Sequence, residues 1–114
     1  MSVVIYHNPR CSKSRQTLEL LQQNNIQPEI IKYLETPPSI EELKALKTQL
    51  GVAQVRDMMR TKEDIYKDLD LKNADDDTLF KAMADNPKLI ERPIVVANGQ
   101  AKHGRPPEQV LDIL

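Results

Sequence analysis

A second cysteine is missing from this sequence. Cys11 stands alone among 114 residues, so no disulfide can form within the chain and no pair of thiols can act together in it. Long apolar runs are missing too: 39% of residues are hydrophobic, 29% are charged and the mean hydropathy is −0.53. That balance excludes a membrane-spanning chain, and equally a collagen-like or low-complexity one. The opening Met1-Ser2-Val3-Val4 has no basic stretch leading into an apolar one, so no leader is expected and the cytoplasm is the expected compartment. Nor is there an excess of charge. Sixteen Lys and Arg against 17 Asp and Glu leave a net of −1, which gives no general field toward nucleic acid or an acidic membrane, and neither is expected as a partner. Any anion site must be a local cluster.

What is present reads as one α/β domain spanning 1–114, with a helical insertion over about 39–86. Val3 to Tyr6 is a β-branched and aromatic run closed by His7-Asn8-Pro9, a strand leaving through a turn. Helix formers follow Cys11 with Leu18 and Leu21 on one face, stopping near Asn24-Asn25, and Glu29 to Leu34 reads as a second strand. This is the layout of a βαβ unit. Ser39 with Glu42 three residues on reads as a capping box, Leu43, Leu46 and Leu50 continue the helix, and Gly51 stops it. Shorter helical pieces are expected over Gln54 to Met59, Lys62 to Leu69 and Asp76 to Ala84. Ile94-Val95-Val96, Asn98-Gly99 and Gln100 to His103 read as a hairpin. Pro106-Pro107 then opens a last helix from about Glu108, with Val110, Leu111 and Leu114 toward the sheet.

The chemistry centres on Cys11, where a strand hands over to a helix whose free N–H groups and positive dipole end favour a thiolate. His7, Arg10, Lys13 and Arg15 crowd the same loop with donors and positive charge, a setting for an activated nucleophile and an oxyanion. Cys11-Ser12-Lys13-Ser14 lacks the second thiol of a CxxC pair, so another molecule's thiol must supply electrons. It also lacks the arginine that a phosphatase loop carries six positions after its cysteine, because Thr17 stands there. Arg92 and Arg105 each precede a proline, an arrangement that leaves the guanidinium fork free to project toward an anion. Antiparallel pairing of the strands at Val3 to Tyr6 and Pro93 to Ala97 would bring Arg92 to Cys11.

These residues, taken in order, resemble the glutaredoxin-coupled arsenate reductases. The resemblance rests on His7-Asn8-Pro9 with Cys11, Ser14-Arg15, Tyr33-Leu34-Glu35-Thr36-Pro37-Pro38, Arg92-Pro93-Ile94-Val95-Val96, and Arg105-Pro106 with Val110-Leu111-Asp112-Ile113-Leu114. It implies a thioredoxin-like core, built as βαβ plus ββα around a mixed sheet, with a cis bond at Pro93. It further implies that Cys11 attacks arsenate, that His7 favours the thiolate, and that Arg60, Arg92 and Arg105 hold the oxyanion. Arg60 owes its role to the resemblance alone. Glutathione is implied as co-substrate and glutaredoxin as partner, with no tightly bound cofactor and no metal. Ser12 and Lys13 depart from the small Gly and Thr that better-known members carry after the cysteine. Two alternatives stay open: an Spx-like regulator that binds RNA polymerase, and a glutathione-dependent reductase of another substrate.

Overall fold

A computed structural model describes residues 2–114. The chain divides into two compact units, one made of the residues up to Thr36 together with Arg92–Leu114, the other of Pro37–Glu91.

The first unit holds the whole sheet. Strand β1 (Val3–Tyr6) is followed by helix α1 (Ser12–Gln23) and strand β2 (Glu29–Ile31), and strands β3 (Ile94–Ala97) and β4 (Gln100–His103) come from the far end of the chain. The order is β2-β1-β3-β4. β1 runs parallel to β2, which the crossover through α1 permits, and antiparallel to β3 with Tyr6 opposite Ile94. β3 and β4 form the expected hairpin, Asn98 and Gly99 taking φ of 55° and 75°. Because side chains alternate along a strand, Val3 and Ile5 share a face with their β3 partners Ala97 and Val95. That face is buried against Leu21 of α1 and against Val110 and Ile113.

Two elements differ from the sequence reading. β2 ends at Ile31 rather than Leu34, because the Lys32 carbonyl accepts the N–H groups of Glu35 and Thr36, each at 2.9 Å, and bends the chain into a turn. Leu34 is left 43% exposed while Tyr33 is buried. The closing helix, Pro107–Ile113, is a 3₁₀ helix rather than an α-helix. With three residues per turn, Pro107, Val110 and Ile113 line up on the buried side. Leu111, expected inward, is 38% exposed.

The second unit is helical. α2 (Ile40–Leu50) starts at the capping box, Ser39 Oγ accepting the Glu42 N–H at 3.1 Å and Glu42 Oε1 accepting the Ser39 N–H at 3.1 Å, and ends at Gly51 with φ of 70°. α3 (Asp64–Asp68) and α4 (Asp76–Asp85) follow, the latter capped by Asp75, whose carboxylate accepts the Thr78 N–H at 2.9 Å. Val55–Met58 is one 3₁₀ turn where a longer helical piece was expected. Arg56 ties these short pieces together. Its Nε donates to the Tyr66 hydroxyl at 3.0 Å, and one terminal nitrogen reaches the carbonyls of Leu71, Lys72 and Ala74. Such a fork satisfies carbonyls that short helices leave open. Among the described residues, no helix is long and apolar enough to cross a membrane.

Candidate active site

The site grows from the junction of β1 and α1. Cys11 is the N-cap of α1, in extended conformation with φ of −94° and ψ of 123°, and its thiol is partly exposed. The turn that carries it is closed by the Cys11 N–H to the Asn8 carbonyl at 3.0 Å, and the helix begins with the Arg15 N–H to the Cys11 carbonyl at 3.0 Å. The backbone N–H groups of Ser14 and Lys13, the third and second residues of α1, favour the charged form of the sulfur without a cap hydrogen bond to the Cys11 side chain. Burial is the largest single influence on the thiol and pushes its pKa up. The Ser14 N–H, the charge and hydrogen bond of the Arg92 guanidinium, and the Lys13 N–H oppose it and together prevail, so Cys11 ionises below the ordinary range.

The cation that matters here is not one of those crowding the loop. Arg15 spends its guanidinium on the Pro9 carbonyl at 3.0 Å, and Arg92 is the charged side chain that lowers the thiol. Antiparallel β1 and β3 account for its position, since Arg92 enters one strand where the chain toward Cys11 leaves the other. The peptide bonds Arg92-Pro93 and Arg105-Pro106 are both cis. Arg105 joins the group by donating from a terminal nitrogen to the Arg92 carbonyl at 3.2 Å. The buried Nε of Arg92 meets no acceptor within the protein.

His7 is buried, its Nδ1 2.6 Å from Ser14 Oγ. Burial above all, then the charges of Lys32 and Arg15, lowers its pKa, so near neutral pH it is an uncharged imidazole. Ser14 is the hinge of this arrangement: its oxygen also accepts the Asn8 N–H at 3.0 Å, while its own N–H serves the thiol. The sequence reading noted Ser14 only as part of a motif, since a serine in the first turn of a helix carries no sign that it will be fully buried. A second residue it passed over is Gly104. A Cβ there would collide with the Thr17 side chain and with Pro93, and its N–H donates to the Pro93 carbonyl at 3.0 Å. The absent side chain lets α1 lie close to the segments that carry Arg92 and Arg105.

Cys11, His7, Arg92 and Arg105 thus belong to the sheet unit. Arg60 belongs to the helical unit, where its N–H donates to the Leu89 carbonyl at 2.7 Å and its guanidinium pairs with Glu63 at 3.1 Å. Among the described residues, no group of three or more His, Cys, Asp or Glu side chains could hold a metal ion.

The model of the ArsC family matches residues 6–113. The solved structure of an arsenate reductase from Vibrio cholerae superimposes with a TM-score of 0.98 at 68% identity, covering 100% of this chain and 98% of that one. The arsenate reductase of Haemophilus influenzae is 54% identical over the full length of both chains, and the uncharacterized protein YfgD of Escherichia coli is 57% identical over 98% of this chain and 96% of that one. With a mixed sheet of the thioredoxin type, a lone cysteine at the helix start and a family match over nearly its whole length, the chain belongs to the ArsC family.

Proposed function

We propose that this protein is an arsenate reductase in which Cys11 is the nucleophile and glutathione and glutaredoxin supply the electrons. The observation that carries the reading is the pairing of Arg92 with Cys11: one guanidinium lowers the thiol and keeps a buried Nε without a protein acceptor. An oxyanion bound there accepts that donor and places its central atom beside the sulfur. Arg105, held on the Arg92 carbonyl, adds a second fork for the anion. Arg60 is assigned to the same substrate by family resemblance, and His7 supports the thiolate through Ser14 without adding charge.

The electron count follows from the single cysteine. The Cys11 thiolate attacks arsenic and a hydroxyl leaves as water, giving a sulfur–arsenic bond. The thiolate of glutathione then attacks the Cys11 sulfur. A disulfide forms, the sulfur–arsenic bond breaks with its electron pair going to arsenic, and the pentavalent centre leaves as trivalent arsenite. A glutaredoxin thiolate attacks the glutathione sulfur and returns Cys11 as thiolate. A supply of reduced glutathione places the reaction in the cytoplasm. The test is arsenite release from arsenate with glutathione and glutaredoxin, and its loss in Cys11→Ser. Turnover with thioredoxin alone would overturn the assigned donor, and no turnover in the wild-type protein would overturn the substrate.

A further inference from the structure

A groove of about 420 Å³ runs along α1 beside the C-terminal 3₁₀ helix, lined by Lys13, Gln16, Glu19 and Gln23 from α1 and by Pro106 and Glu108. It lies wholly within the sheet unit, and neither the thiolate nor the arginine cluster accounts for it. Its position is informative. Along α1 it reaches from Lys13, two residues beyond Cys11, to Gln23, and Pro106, next to Arg105, also lines it. Ten residues of helix separate Lys13 from Gln23, roughly 15 Å along the axis, and an extended tripeptide spans roughly 10 to 11 Å.

The lining chemistry narrows the occupant. A second oxyanion would meet the carboxylates of Glu19 and Glu108, and a purely apolar ligand would leave Lys13, Gln16 and Gln23 without partners. A zwitterionic peptide meets most of these groups, with one carboxylate on the Lys13 ammonium, its ammonium on Glu19 or Glu108, peptide amides on the glutamines, and a second carboxylate turned to solvent at the open side of the groove. Resting on the proposed use of glutathione, we infer that this groove is where glutathione binds, its thiol at the Cys11 end and its γ-glutamyl arm along α1 toward Glu19 and Glu108. Recognition of the thiol donor and of the oxyanion are then separate. Arg92 and Arg105 hold the anion, and the groove holds the peptide.

The probe is S-methylglutathione, which cannot exchange with Cys11, titrated into the wild-type protein and followed by amide NMR. The expected result is saturable shifts at Gln16, Glu19, Gln23 and Glu108. In parallel, Gln16→Ala and Glu108→Lys should raise the KM for glutathione roughly fivefold to tenfold or more, the loss of at least one hydrogen bond, without a matching rise in the KM for arsenate. Shifts confined to other surfaces, or equal rises in both KM values, would overturn the inference. The two readings fail separately: groove shifts in a protein that makes no arsenite would remove the arsenate reading alone, and arsenite production with shifts elsewhere would remove the groove alone.

Discussion

Cys11 is held between opposing influences, and the balance can be moved one side chain at a time. Burial opposes ionisation, while the N–H groups at the start of α1 and the Arg92 charge favour it. The alkylation rate of Cys11 against pH should therefore show a midpoint below the ~8.5 of a free thiol, and Arg92→Ala should move it upward. The same variant should lower kcat/KM for arsenate by roughly 100-fold to 1,000-fold, the usual loss when an oxyanion donor is removed. His7 makes the opposite kind of prediction. Its pKa is lowered by burial and by neighbouring cations, so the folded state resists protonation more than the unfolded one does. Stability is then fully present above the ordinary imidazole value of 6.5 and is lost as pH falls below it toward the folded value. Thermal unfolding from pH 7.5 to 5 should fall less steeply for His7→Gln than for the wild type, and equal slopes would show that His7 is not buried as a neutral base. At this scale the sequence disclosed where the cysteine sits, because a lone cysteine between a strand and a helix is visible in one dimension. The effective cation was legible only on a condition: Arg92 is 81 positions from Cys11 and reaches it only if β1 and β3 pair antiparallel, as they do. The loop cations Arg10, Lys13 and Arg15 were nearer in sequence, yet Arg15 turns to a backbone carbonyl.

Elements differ in how openly they announce themselves. The capping box at Ser39 and the Asn98-Gly99 turn depend on side chains three residues apart or fewer, so they were legible. The C-terminal helix was read as α because Val110, Leu111 and Leu114 suit a 3.6-residue period. The apolar residues Pro107, Val110 and Ile113 also repeat every three positions, and packing on the sheet selects that alternative. Close approach between elements leaves the faintest trace. Gly104 is one of three glycines, and nothing in its neighbours reveals that α1 fills the space where its Cβ would stand. Gly104→Ala should cost about 1–3 kcal/mol as an overpacked contact, measured by urea unfolding. Part of that cost should be recovered by adding Thr17→Ala, since Thr17 is the main obstruction and Pro93 remains. An additive result would mean that the helix, rather than the Thr17 side chain, yields to the new methyl group.

For the whole molecule, the residues in question divide between two units, and the chemistry offers a way to sort them. Cys11, Arg92 and Arg105 belong to the sheet unit, whereas Arg60 is paired with Glu63 in the helical one. If Arg60 serves only the oxyanion, Arg60→Ala should raise the KM for arsenate by roughly tenfold, about one charge-assisted hydrogen bond, and leave the Cys11 alkylation midpoint where it is. A shifted midpoint would instead make it a partner of the thiolate. The other constraint on the whole molecule is that it contains one sulfur able to form a disulfide. Reducing a pentavalent oxyanion takes two electrons, so the second sulfur must come from outside and the disulfide must be intermolecular. Two copies of Cys11 could join, but that would close the nucleophile's loop against its twin and stop turnover. Glutathione forms a small disulfide that a glutaredoxin can still reach. Mass spectrometry of protein quenched during turnover should therefore find one glutathione on Cys11, lost again on treatment with glutaredoxin. A disulfide-linked dimer in its place, or continued activity with no adduct that can be trapped, would overturn the electron route even with arsenate confirmed as substrate.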